Sequence, residues 1–434
     1  MIGRTNAVIG GGNFTKSVII VTAPTGSTVT CKSGSTTKTA TEKNGTWTFT
    51  GIDNGTWTLT ATLGGQTTTA TVNVTQFDVY RVTLAYVKIY GISRDITASS
   101  PAWTRTDDAV GMTATASVGT VAGHSDFSSC YPWSKIARET LSTGDVMVKI
   151  PKFWYRRYRE GNVENIKIAT QPASGFALHP AFNHGGVSKD AVYVGAYKTS
   201  NNNKSISGAS PQVQQTKTTL RDNAKSKGSG WGLTDISTFS AIQMLILVEY
   251  ATNNVQAVIG QGYCNGLASL EVGSCDSVAN LTGRPAGTDG TVDVVYRGIE
   301  GLWGNIWEWV DGVNWNNGTY YVCNAPTKYA DATTANYTQL SFVGLPAWDN
   351  SYITTEGLDS GANNHIMLPS AAGTGSSSTY MCDTTWGESG WKCPAFGGQW
   401  SDKLAVGLFR TGFFTDPSAG ANGFCGARLQ YIPN

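Results

Sequence analysis

From Ser17 onward the chain alternates apolar residues with threonine at period two, in segments such as SVIIVT, STVTCK, GTWTFT, GTWTLTATL, QTTTATVNV and DVYRVTLAY. Alternation of this kind puts one face of each segment in a core and the other in water, which a strand satisfies and a helix does not. Asn44-Gly45-Thr46-Trp47 recurs as Asn54-Gly55-Thr56-Trp57. Each Asn-Gly predicts a tight turn, and Trp47/Phe49 and Trp57/Leu59 fall on one face of the strands that follow. The expectation is an all-β sandwich over residues 17–88, preceded by a Gly-rich flexible attachment arm (1–16) and followed by a linker (89–101). Lys, Glu and Asp are isolated in this segment and it has no His, so it offers no reaction.

Residues 102–434 read as one large domain of different texture. Only 14% of the chain is charged, against about 25% in ordinary soluble proteins, while it holds 51 Gly and 14 Trp. Strands and long polar loops suit that composition better than helices with ion-paired faces. KIPKFWYRR (149–157) and VYVGAY (192–197) read as strands. Thr218 to Lys227 reads as a short helix closed by Gly228, and Asp235 to Thr252 as the main helix, with an apolar stripe of Ile236, Phe239, Ile242, Ile246 and Tyr250. The stretch 359–379 reads as a long surface loop.

The net charge of +1 gives no footprint for nucleic acid or anionic lipid. The apolar run 242–248 is too short to span a bilayer, and the N-terminal residues lack the h-region of a secretory signal, so synthesis in a bacterial cytoplasm without signal-peptide export and without membrane insertion is expected. Eight scattered cysteines form no CxxC, and most read as reduced core residues, with Cys264/Cys275 and Cys382/Cys393 near enough in sequence to pair. The four histidines, His124, His179, His184 and His365, read as loop residues, without a companion set that would make a metal site.

The segment GLWGNIWEWVDG (301–312) holds three tryptophans, and Trp315, Trp348, Trp386, Trp391 and Trp400 follow. Such a cluster builds a rigid core under a loop-rich surface, and Glu308, between Trp307 and Trp309, is expected to accept hydrogen bonds from backbone or indole donors. With Gly397-Gly398-Gln399-Trp400, Gly407-Leu408-Phe409 and Gly426-Ala427-Arg428-Leu429-Gln430-Tyr431 in that order, residues 102–434 resemble the C-type lectin-like fold in its formylglycine-generating-enzyme branch. More narrowly they resemble the variable proteins of diversity-generating retroelements, many of them receptor-binding proteins of phage tails. The sandwich resembles the immunoglobulin-like modules of phage tail and bacterial surface proteins.

The resemblance implies an α+β chain with an immunoglobulin-like sandwich before a C-type lectin-like domain. It implies an invariant frame of Gly398, Trp400, Gly407, Phe409, Gly426, Arg428 and Tyr431 within a variable region spanning 397–431. Gln399, Ser401, Asp402, Lys403, Ala405, Arg410, Thr411, Phe413, Phe414, Asp416, Asn422 and Phe424 are then the ligand-contacting candidates, with Phe413 and Phe414 as exposed aromatics. The implied protein is a non-enzymatic adhesin of a virion tail, without cofactor or metal. It would bind a host-surface protein or glycan and join other tail proteins through its N-terminal region, and a homotrimer is the assembly the resemblance suggests, as phage receptor binders commonly form one.

Three alternatives belong to other classes. Copper-dependent oxidation by formylglycine-generating enzymes needs a close cysteine pair near the C-terminus, and Cys425 is solitary. A polysaccharide-degrading tail enzyme needs two carboxylates, for which Glu300, Glu308, Asp311 and Asp349 are candidates. A calcium-dependent lectin needs six or more oxygen ligands, and Trp348-Asp349-Asn350, Glu308 and Asp311 offer an incomplete set.

Overall fold

A computed structural model describes residues 2–4, 16–64, 66–344, 348–416 and 422–433. It divides into two compact units, 1–88 and 89–434.

The first unit is a two-sheet sandwich. One sheet runs Ile2–Arg4, Val79–Thr83, Ser17–Thr22, Thr46–Ile52, Glu42–Lys43, and the other Thr36–Lys38, Thr28–Ser33, Gly55–Leu63, Gln66–Val74. Trp47, Phe49, Trp57 and Leu59 are all buried, as the alternation requires, together with Cys31. The two Asn-Gly copies differ. Asn44 and Gly45 both have positive φ and close a two-residue hairpin, Lys43 facing Thr46. Asn54-Gly55 instead carries the chain from one sheet to the other, because the strand before it pairs with Ser17–Thr22 and the strand after it with Thr28–Ser33. Of the proposed arm, Ile2–Arg4 pairs antiparallel with Val79–Thr83, and residues 5–15 lie outside the described residues.

The second unit begins earlier than the composition suggested. Ile89–Asp95 lies inside a five-stranded sheet, between Thr104–Asp107 and Val163–Ala169, so the first half of the expected 89–101 linker is a sheet strand, with Tyr90 and Ile92 in the core. The run 149–157 splits at Pro151–Phe153 into two strands, Val146–Pro151 and Trp154–Glu160, which belong to different sheets. Overall 41% of residues are in strands and 12% in helices, a β-dominated chain compatible with a C-type lectin-like fold.

Among the described residues two α-helices run to eight residues or more: α1 (Lys217–Lys225) and α2 (Ile236–Tyr250). Thr216 and Asp235 cap them through side-chain oxygens that accept from Thr219 N and Thr238 N. The stripe expected of α2 is a whole cylinder, since all fifteen residues are buried. Most of its polar residues find a partner there, although Thr238 Oγ1 and Tyr250 Oη are buried without one. Ser240 donates to the His365 carbonyl, Gln243 donates to the Leu408 carbonyl at 3.3 Å, and Glu249 accepts from Arg297, Tyr296 and Ser125. Ala251 ends the helix in the left-handed region, φ 51°, where a Cβ is disfavoured. Ala251→Gly is therefore expected to raise stability by about 0.5–1 kcal/mol, read as a higher denaturant midpoint at unchanged slope.

The expected surface loop 359–379 is half core: Ile366, Met367 and Leu368 are buried, and Pro369–Gly373 pairs with Trp348–Glu356. His179, His184 and His365 are likewise buried rather than in exposed loops, His179 and His365 packing ring to ring at 5.2 Å. All eight cysteines are free thiols.

Candidate functional site

The site is built outward from Glu308. Trp307–Trp309 pairs with Cys425–Ala427 on one side and with Trp391–Phe396 on the other. This register brings Arg428 beside Glu308, the Arg donating from Nε at 3.0 Å and from an Nη at 2.6 Å. Lys198 Nζ donates to the same carboxylate at 2.8 Å. Burial alone would raise the Glu308 pKa, but Arg428 and Lys198 outweigh it and hold the carboxyl below its usual range. The partners of Glu308 are thus two cations, not the indoles between which it sits. Arg428 also donates to the carbonyls of Gly195, Glu300 and Gly301, so one side chain ties the last strands to the strand Ala191–Gly195 and to the tryptophan motif.

Gly407-Leu408-Phe409 is fixed from beneath. Gly407 has φ 151°, and a Cβ there would sit 1.9 Å from Asp383 Oδ1, so only glycine fits. Asp383 accepts from Phe409 N at 2.7 Å and from Gln256 at 3.3 Å. Burial nevertheless pushes its pKa up to about 8, and does the same to Glu356, whose two carboxylate oxygens have no hydrogen-bond partner. Burial also depresses His179, and His365 to about 3.

These shifts have opposite consequences. A carboxyl raised in the fold adds its full stability below its unfolded pKa and loses it as pH climbs to the folded value, whereas a histidine depressed in the fold destabilises as pH falls below about 6.5. Between pH 8 and 6.5 only the carboxyls act, each returning stability as it takes up its proton. The thermal midpoint is thus expected to rise as pH falls from 8.5 to 6.5, to rise less steeply below that as the two histidines oppose Asp383, Glu356 and the likewise raised Glu300, and to fall below about pH 4.5. Glu356→Gln should flatten the upper limb, and an unchanged limb would show that Glu356 ionises normally.

Above this base lies the loop 399–405. Asn305, in the left-handed region at φ 63° and fully buried, holds it in place. Its carbonyl accepts from Trp400 N, its amide N–H donates to the Tyr263 carbonyl, and its side chain bonds both the N–H and the carbonyl of Leu270. The segment 263–270 and the loop 399–405 are thereby fastened to one residue of the tryptophan motif, and further joined by Gly266 N to the Trp400 carbonyl and Lys403 N to the Cys264 carbonyl. At the surface this pair exposes Ser401, Lys403, Leu404, Asn265 and Leu267, the last 99% exposed.

A second patch surrounds the strand Thr411–Thr415. Phe414 is half-buried, stacked on half-buried Trp386 at 4.9 Å and 21°, and meets Trp307 edge-on and Phe424 at 6.1 Å. Asp416 accepts from Lys392 at 2.6 Å. Between the patches lies Arg410, its guanidinium 5.0 Å from the Trp307 ring and 3.9 Å from Asp402. Arg410 is 4% exposed, and burial lowers its pKa to about 10, with Asp402 and Asp383 acting the other way.

The twelve candidates thus separate by position. Ser401, Lys403 and Asp416 are exposed, while Gln399, Asp402, Ala405, Phe414, Asn422 and Phe424 are half-buried at the surface. Arg410, Thr411 and Phe413 are buried, and Phe413 is a correction to the expected pair of exposed aromatics. The strand Thr411–Thr415 is flanked on both edges, by Trp391–Phe396 and Thr384–Gly387, so alternate residues turn inward. Phe413 stacks on Trp315 at 5.0 Å and meets Tyr320 at 5.7 Å. Asn305, Leu267 and Trp386 were not singled out as site residues. Leu267 left no signal because a lone leucine in a turn-rich stretch has no periodicity to read.

Of the carboxylates considered for hydrolysis, Glu300 accepts from the backbone N–H groups of Gly273 and Cys275, Glu308 is in its ion pairs, and Asp311 is gripped by Arg221. All three are buried, and the Asp349 side chain lies outside the described residues. Among the described residues no group of three or more His, Cys, Asp or Glu is placed to hold a metal ion, and no helix is long and apolar enough to cross a membrane.

No family model matches the chain, and no curated protein matches it in sequence. Among solved structures it is similar to a Major Tropism Determinant P3c variant, at 12% identity over 88% of this chain and 81% of that one, with a TM-score of 0.26. A superposition that loose fixes neither the fold nor the site.

Proposed function

We propose that the chain is a receptor-binding adhesin of a phage or prophage tail, non-catalytic, whose second unit presents the joined loops 263–270 and 399–405 and the Trp386/Phe414/Phe424 patch to a host-surface protein or glycan. The observation that carries this reading is the contrast within the last forty residues. Five of the seven frame residues, Gly398, Gly407, Phe409, Gly426 and Arg428, are buried and Trp400 and Tyr431 are half-buried, while Ser401, Lys403 and Leu404 are exposed on a loop held by several backbone hydrogen bonds. A stiff loop with exchangeable side chains loses little entropy on binding, which is what a selectable recognition surface needs. In this reading the frame supports diversified positions, the first unit is a spacer toward other tail proteins, and the site of action is the virion.

Leu267→Asp combined with Lys403→Ala is expected to weaken attachment to host cells at least tenfold while leaving the thermal midpoint within about 1 °C, as hot-spot loss on a solvent-facing loop should. Attachment unchanged in this variant and in Phe424→Ala would place recognition elsewhere on the molecule.

A further inference from the structure

A cavity of about 500 Å³ that shares no lining residue with the two patches opens on the second unit, between the edge strand Trp231–Leu233, the segment Gln430–Pro433 and the turn Pro326–Tyr329. Its size is that of a small-molecule site. Leu233, Ile432, Pro326 and Tyr329 give it mostly apolar walls.

The polar groups around it are unequally served. Asp235 accepts from Thr238 N, Tyr329 Oη and Gln430 Nε2, and Asp311 is held by Arg221 at 2.6 Å. His184, in contrast, lines the cavity at 7% exposure with neither ring nitrogen hydrogen-bonded. Its Nδ1 stands 3.7 Å from Asp235 Oδ2, beyond hydrogen-bond reach. A buried imidazole left in that state is costly unless something else supplies its partner. The hairpin that carries it is pinned in place by Gly185 N donating to the Asn324 carbonyl.

The cavity also takes in Lys189 and Lys225, neither of which forms an ion pair among the described residues. Of the charged groups that line the cavity, Asp311 is paired with Arg221, so the charge left without a counter-ion on the lining itself is that of the two lysines, while Asp235, behind His184, is held by neutral donors. Lys225 ends α1, and the C-terminal end of a helix disfavours an anion, a dianion about twice as strongly as the single charge that the lysine offsets. Neither an arginine nor an α-helix N-terminus lines the cavity, and the single 3-10 turn that does begins with Pro326, which has no N–H to offer, so a phosphate lacks its usual fork or cradle. One carboxylate is the anion that fits.

We infer that this cavity is a second ligand site, taking a single ring that carries hydroxyls and one carboxylate, with the ring against Tyr329 and Ile432, a hydroxyl on His184 and the carboxylate toward Lys189 and Lys225. A sugar acid and a hydroxylated aromatic acid share that chemistry. The site is independent of the adhesin surface, and its ligand need not be the host receptor.

The test uses the intact chain with D-glucuronate and 4-hydroxybenzoate as probes, and glucose and phenol as uncharged controls, read by calorimetry and ligand-observed NMR. At least one acid is expected to bind in the millimolar range or tighter and at least tenfold better than its control. Glucuronate alone identifies the saccharide source, and 4-hydroxybenzoate alone the aromatic one. Gly232 lines the cavity, and a Cβ there would meet nothing within 4 Å. Gly232→Phe should therefore fold normally and abolish binding. Lys189→Ala with Lys225→Ala should erase the preference for the acid, and His184→Phe should weaken binding about tenfold. Binding of neither acid, or binding by a folded Gly232→Phe as tight as by the unaltered chain, would overturn the inference. Host-cell attachment by Gly232→Phe should stay unchanged, so the failure of either reading is visible without the other.

Discussion

Replacing Arg428 by Met should destabilise the second unit by about 3–5 kcal/mol, the usual result of removing one partner from a buried ion pair. The substitution leaves Glu308 with Lys198 as its sole cationic partner and strips a donor from the carbonyls of Gly195, Glu300 and Gly301. Met fills a similar volume, so the loss reports on polar partners rather than on a cavity. Arg428→Lys should recover only part of it, because an ammonium cannot keep both Nε and Nη bonds to the carboxylate while reaching three carbonyls. Denaturant unfolding followed by tryptophan fluorescence measures both variants. A cost below about 1 kcal/mol for the Met variant would mean that the cation adds little beyond its own desolvation. The same measurement on Glu308→Gln, which leaves Lys198 and Arg428 facing each other, should show a loss of similar size.

The role of Arg428 shows what kind of information the sequence carries. The order of its motifs, with GNIWEW first and GARLQY last, was enough to mark Arg428 as frame, yet nothing in the spacing says that it grips a glutamate 120 positions earlier. Periodicity identified the sandwich strands and both helices within a few residues, because alternation and capping are local. It failed where burial is decided by distant partners. α2 reads as amphipathic from its own residues, and is buried all round because His365, Leu408 and Arg297 satisfy its polar side. Ile89–Asp95 reads as a linker because its strand partners lie up to eighty positions away. The second Asn-Gly failed differently, since the same dipeptide serves a hairpin or a crossing between sheets according to which strands flank it. The proposed recognition surface was half visible: the 399–405 loop lies within the motif frame, whereas 263–270 joins it through Asn305 and backbone hydrogen bonds that no spacing announces.

Phe413 and Phe414 are neighbours in sequence, and alanine at the two positions should have unlike effects. Phe413→Ala is expected to cost about 3–5 kcal/mol, since it removes a fully buried ring from between Trp315 and Tyr320, in a core that also includes Phe239, Leu340 and Phe396. The surrounding side chains come from separate strands and α2, so they cannot collapse together to fill the gap. Phe414→Ala should cost less, because its ring already shares its space with solvent, but it uncovers Trp307 and Trp386 and breaks the stacked pair of the second patch. Attachment should then fall in the Phe414 variant at temperatures where it is still folded, whereas any loss in the Phe413 variant should track its unfolded fraction. Melting curves and binding measured on the same samples separate the cases. Binding lost in a fully folded Phe413→Ala would show that the ring reaches the ligand after all, and the strand Thr411–Thr415 would then have to move outward on binding, a change that its two flanking strands oppose.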